Sequence, residues 1–184
     1  MTKVYTSALV LIPPENLWAP IQTIREKYDR NFYRWMPHIT LLYPFRPESE
    51  FNSLESVFKK RLEDIKPFEL VLDSFKYFRH GKQRFTMWLE PKPQELVMDL
   101  QKKIQSIFPD CDDVSLFKGG FTPHLSLGQI KGSDILDMTL QDLNARWKSL
   151  KFIVDRIFLI ARERSKNSVF KVKKSISFLK QNPK

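Results

Sequence analysis

The sequence predicts an α+β protein made of two related, β-rich lobes that face each other across a cleft. Three observations carry that reading. Strand-like and helix-like patterns alternate along all 184 residues. A five-residue pattern occurs twice, at 37–41 and at 123–127. The elements around the two copies also follow one order: helix, Pro-His strand, helix, strand, strand. No stretch rich in Gly, Pro or Ser separates the copies, so residues 1–184 read as a single bilobal domain.

In chain order, residues 4–13 (VYTSALVLIP) read as a buried strand. Residues 15–29 place Leu17, Trp18, Ile21, Ile24 and Tyr28 at helical spacing. Residues 37–45 (PHITLLYPF) are β-rich and closed by Pro44 and Pro47. Residues 49–65 open on a Ser cap candidate and carry Phe51, Leu54, Val57, Phe58, Leu62 and Ile65 on one helical stripe. Two strands, 68–78 and 84–90, flank the basic turn Arg79-His80-Gly81-Lys82-Gln83. A helix at 93–108 has Leu96, Leu100, Ile104 and Ile107 in step, and an irregular insert at 109–121 follows. The remainder reads as a strand at 122–130, a helix at 134–147 and strands at 151–161 and 169–179. His38 and His124 are 86 residues apart (124 minus 38). Shifted by that amount, strand 68–78 lands on 154–164 and strand 84–90 on 170–176, close to the strands read there independently.

Composition narrows the function classes. A share of 42% hydrophobic and 13% aromatic residues excludes a disordered chain despite 28% charged residues. Five Gly leave little for a glycine-rich phosphate loop. The single Cys111 permits no intrachain disulfide and no cysteine-built zinc site, and its acidic neighbours do not favour a thiolate. No apolar run approaches the length of a membrane helix and no secretory signal is read, so a cytoplasmic protein without a membrane partner is expected, the nucleus being the alternative. The 31 Lys+Arg against 21 Asp+Glu give a net charge of +10, which favours polyanionic partners.

The repeated pattern carries the chemistry. Pro37-His38-Ile39-Thr40-Leu41 matches Pro123-His124-Leu125-Ser126-Leu127: Pro, His, aliphatic, hydroxyl, Leu. On a strand, residues i and i+2 share a face, so His38 projects with Thr40 and His124 with Ser126, while Ile39 and Leu125 point the other way and can pack against the helices. Hydroxyls can donate to non-bridging phosphate oxygens. Two imidazoles, each with an ordinary pKa near 6.5, can divide into one base and one acid. Together they suit phosphodiester cleavage without a metal: one His takes the nucleophile's proton, the other protonates the leaving oxygen. Two His and one distant Cys supply no convincing zinc ligand set.

The tetrapeptides His38-Ile39-Thr40-Leu41 and His124-Leu125-Ser126-Leu127, one in each half of the chain, resemble the signature of the 2H phosphoesterase superfamily, which includes 2′-5′ RNA ligase-like proteins and RNA cyclic phosphodiesterases. That resemblance implies a bilobal, pseudo-two-fold α+β fold with two antiparallel sheets lining a central cleft and helices outside. It implies His38 and His124 as catalytic acid and base, Thr40 and Ser126 as phosphate binders, and no cofactor. The expected partner is RNA or a nucleotide, and the expected state a monomer. The favoured reaction is hydrolysis of a 2′,3′-cyclic phosphate end. The alternatives are cleavage of 2′-5′ oligoadenylate, trimming of RNA 3′ ends, 2′-5′ ligation and RNA binding without chemistry.

Around the motifs, Tyr43, Phe45 and Phe121 are candidates to stack on a base, and Trp88 reads as core. Lys118, Arg162, Arg46, Lys131 and Arg164 are candidate phosphate contacts. His80 belongs to the exposed basic turn and reads as a solvated loop residue.

Overall fold

A computed structural model describes residues 2–178. Eight antiparallel strands form one continuous sheet in the order β6-β3-β4-β5-β2-β1-β7-β8. The strands are β1 (Ser7–Leu11), β2 (Ile39–Leu42), β3 (Phe68–Arg79), β4 (Arg84–Lys92), β5 (Leu125–Lys131), β6 (Leu150–Val154), β7 (Arg156–Ala161) and β8 (Lys171–Ser177). The helices are α1 (Trp18–Tyr28), α2 (Phe51–Arg61), α3 (Gln94–Ile107) and α4 (Ser133–Arg146). The two expected sheets are therefore two four-stranded halves of one sheet. They meet at β2 and β5 through a single register pair, Ile39 with Leu125.

One face of the sheet is covered by the helices and holds the main core. Ile21 and Ile24 of α1, Leu54 and Phe58 of α2, Val97, Leu100 and Ile104 of α3 and Leu136 of α4 pack there on the alternate buried residues of the strands, among them Leu9, Leu41, Leu72, Met87, Leu127 and Leu159. The β-strand period of two explains the division: in β4, Phe85, Met87 and Leu89 enter this core while Arg84, Thr86 and Trp88 take the other face. Ala8, Val10, Ile160 and Phe170 form a second, smaller cluster outside the main core, packed with Trp35, Met36 and Tyr43.

Three local expectations are corrected. The strand read at 151–161 is two strands. It breaks at Asp155, where the chain crosses from β6 beside β3 to β7 beside β1. The helix cap at Ser49 does not form: Glu50 precedes α2 and no side chain caps it. Strand 84–90 is not the repeat partner of strand 169–179. β4 lies inside the sheet next to β5, whereas β8 is an edge. The sheet order pairs β5 with β2, β4 with β1 and β3 with β7 about the Ile39–Leu125 junction, so the repeat begins one strand earlier than the spacing indicates. The last strand ends at Ser177, and residue 179 of the strand read at 169–179 lies outside the described residues.

Candidate active site

The site grows out of the β2–β5 junction. Ile39 and Leu125 are both 0% exposed and anchor their strands in the main core. Continuing their antiparallel register by one residue sets His38 opposite Ser126 and Thr40 opposite His124, all four on the face away from the helices. The two histidines are then diagonal neighbours, about 7–8 Å apart at the backbone, around a local two-fold axis. All four side chains are half-buried, as groups lining a cleft between two halves of a sheet should be.

The same backbone device orients both rings. His38 Nδ1 lies 2.7 Å from the Met36 carbonyl oxygen, and His124 Nδ1 lies 2.8 Å from the Thr122 carbonyl oxygen. A carbonyl only accepts, so Nδ1 carries a proton in each ring and Nε2 is the nitrogen left to gain or lose one. Burial pushes the His38 imidazole down to about 4; the Met36 hydrogen bond opposes this, and the nearby Arg25 and His124 charges add to it. Burial also lowers His124, again against its carbonyl bond.

The surroundings of the two rings differ. His38 stacks on Trp35, with ring centres 4.8 Å apart and planes 17° from parallel. Trp35 in turn lies flat on Phe170 at 3.6 Å, and Tyr43 meets both edge-on. The loop carrying Trp35 is held from below by Arg25, which is 2% exposed. Its guanidinium bonds the Asp29 carboxylate at 2.8 Å and the Trp35 carbonyl at 3.0 Å. His124 instead meets Phe78 edge-on at 5.0 Å and Trp88 at 5.9 Å, and those two rings stack on each other at 4.9 Å.

Among the candidates for substrate contact, Tyr43 borders the site through Trp35, and its hydroxyl donates to the Tyr5 carbonyl. Arg162 lies over the Phe170 ring at 5.5 Å in the same cluster and donates to the Glu163 carbonyl and the Ser168 hydroxyl. Phe45 is corrected: it is fully buried in the main core against Phe51, Phe58 and Phe108, on the wrong face to stack on a base. Arg46 is corrected likewise, being 4% exposed and forked onto Asp110 at 2.5 and 2.7 Å. Phe121 packs half-buried against the main core, while Lys118 and Arg164 are exposed on loops. Trp88 is buried as expected, but against His124 as well as its own sheet.

Sequence reasoning missed Trp35, Phe78 and Phe170. Position carried a partial signal for Trp35, which stands three residues before His38 as Phe121 stands three before His124. The two aromatics diverge: Trp35 covers its histidine, whereas Phe121 turns into the core. Phe170 comes from the far end of the chain, through a backbone bond from its N–H to the Arg34 carbonyl. No local pattern reports such a contact.

Among the described residues, no group of three or more His, Cys, Asp or Glu is placed to hold a metal ion, and no helix is long and apolar enough to cross a membrane.

Comparison with known proteins bears on the family and the fold. The family model described as the 2′-5′ RNA ligase superfamily matches residues 13–166. A Bacillus licheniformis protein named "Putative phosphoesterase" is 26% identical over 154 residues, covering 83% of this chain and 87% of its own. Among solved structures, E. coli LigT in apo form superposes with a TM-score of 0.63 at 15% identity, over 97% of this chain and all of LigT (100%). LigT has also been solved with phosphate and with 3′-AMP. The TT0787 protein of Thermus thermophilus gives a TM-score of 0.60 at 19% identity, over 96% of this chain and 100% of its own. Two matched histidine motifs on facing strands, a two-fold sheet and a family match across most of the chain converge: this protein belongs to the 2′-5′ RNA ligase superfamily of 2H phosphoesterases.

Proposed function

We propose that the protein hydrolyses RNA-related phosphodiesters, with a 2′,3′-cyclic phosphate end as the favoured substrate, by acid–base catalysis between His38 and His124 and without a metal ion. The observation that supports this most is the shared carbonyl bond to Nδ1, which leaves both Nε2 atoms as the working nitrogens on one face. Thr40 and Ser126 flank them across the strands and donate to the non-bridging phosphate oxygens. A phosphate on the diagonal between the histidines would have an imidazole on either side, as in-line displacement requires. One neutral imidazole takes a proton from water at Nε2, and the water oxygen attacks phosphorus. The bond from phosphorus to one ribose oxygen breaks, and the second imidazole gives that oxygen its proton. The product is a terminal phosphomonoester. That LigT has been solved with 3′-AMP, a ribonucleotide monoester, is in keeping with this reading.

The test is hydrolysis of an RNA ending in a 2′,3′-cyclic phosphate, in excess EDTA, followed by ³¹P NMR. Conversion of the cyclic signal to a terminal monoester is expected. His38→Ala and His124→Ala should each slow it by about 10²- to 10⁴-fold while the folded structure persists. Full turnover of cyclic and 2′-5′ substrates in either variant would refute the assignment.

A further inference from the structure

The two halves of the sheet are finished differently on the face that carries the histidines. In the half built from β2, β1, β7 and β8, the floor next to the motif is Val10, Ala8 and Ile160, closed over by Trp35, Phe170 and Tyr43. In the other half, Val10 beside Thr40 is matched by Trp88 beside Ser126. Following the strands outward from there, Thr86 stands for Ala8 and Phe78 for Ile160. No aromatic lid covers this side among the described residues: Phe78 and Thr86 stay half-buried. Beyond them the floor turns basic. His80 Nε2 is 3.0 Å from Thr86 Oγ1, and Arg84 pairs in register with Lys131, both exposed and on the same face.

The Lys82, Arg84 and Lys131 cations are not neutralised by acids among the described residues. The turn between β3 and β4, which carries Lys82, is docked on the end of β5, with Gln83 accepting from Gly132 N–H at 2.9 Å and from Ser133 N–H at 3.1 Å. Asp134, the acid at that junction, accepts from the Ser133 hydroxyl. Glu90 lies past Trp88, toward the opposite end of β4, beside Lys76 and Lys92. The ledge from His124 to Lys131 thus runs histidine, stacked aromatics, then free positive charge, over about 20 Å of strand.

We propose that this ledge carries the RNA strand leading to the reacting end. The terminal nucleotide sits at the histidines, the preceding base rests on Phe78, and Arg84 and Lys131 take the next phosphates. Aromatic faces stack on bases without regard to sequence, and free cations follow the backbone, so the ledge fits single-stranded RNA. This rests on the reading of the site given above and adds a substrate class: an oligoribonucleotide end is preferred over a mononucleotide.

Steady-state rates for a nucleoside 2′,3′-cyclic phosphate and a tetraribonucleotide ending in the same group test it. At low salt the wild-type protein should favour the tetramer by about tenfold or more in kcat/KM. Arg84→Ala with Lys131→Ala should remove that preference, leave mononucleotide turnover within about twofold, and make the log–log salt slope for the tetramer shallower by about 1.4. A charge-matched control at the exposed end of α2, on the opposite side of the sheet, Lys60→Ala with Arg61→Ala, should keep the preference. Equal rates for the two lengths in the wild type, or equal loss in test and control variants, would overturn the ledge while leaving the site reading intact. If neither substrate is turned over, the site reading falls alone. Anisotropy with a labelled tetramer ending in a 3′-phosphate then decides the ledge: binding about tenfold weaker in the test variant supports it, and unchanged binding refutes it.

Discussion

A carbonyl two residues upstream holds Nδ1 of each motif histidine, and a hydroxyl two residues downstream shares its face. The hydroxyl was legible from the sequence, because strand alternation puts i and i+2 together. The carbonyl was not, since it depends on how the Met36 and Thr122 backbones turn into the strands. Phe45 shows the opposite failure: an aromatic close to the motif in sequence lies in the main core, because the chain leaves the strand after Leu42. Burial depresses both imidazoles, His38 to about 4. On the proposed mechanism the competent free enzyme has one ring neutral and one charged, so kcat/KM should peak between two lowered pKa values, on the acid side of the ordinary 6.5. A bound phosphodiester anion favours imidazolium, so the kcat profile should lie at higher pH than the kcat/KM profile. Initial rates across pH 4–9 check both statements; a kcat/KM optimum on the alkaline side of neutrality would contradict them.

Element positions were read well where periodicity was strong, as in α3 and the β3–β4 hairpin, whose bounds match within a residue or two. Periodicity does not report which half of the sheet a strand joins, so the break at Asp155 inside an apolar run was invisible. One position on β5 shows how tightly the elements are fitted. Gly128 has φ +144°, and a Cβ there would lie 2.4 Å from the Tyr28 carbonyl carbon of α1. The close approach lets α1 lie on the strand that follows His124. Gly128→Ala should therefore cost about 1–3 kcal/mol by overpacking, before any backbone strain. Urea unfolding at neutral pH measures it, and an unchanged midpoint would show that α1 yields freely.

At the scale of the whole molecule, the sequence repeat predicted two lobes, and the sheet delivers them as halves joined by one residue pair. The pseudo-symmetry was legible because both copies keep the same five-residue pattern. The asymmetry was not, because the lid of one lobe brings Phe170, from the far end of the chain, onto Trp35 and Tyr43. The net charge of +10 favours polyanionic partners, and on the ledge proposed above the exposed cations would give that attraction a direction. The central claim is that one phosphate is held between the two motifs. A crystal structure with a nucleoside 3′-monophosphate tests it most directly. The phosphate is expected between His38 Nε2 and His124 Nε2, with the Thr40 and Ser126 hydroxyls on its non-bridging oxygens. A phosphate bound elsewhere, with neither imidazole within hydrogen-bond reach, would contradict the claim.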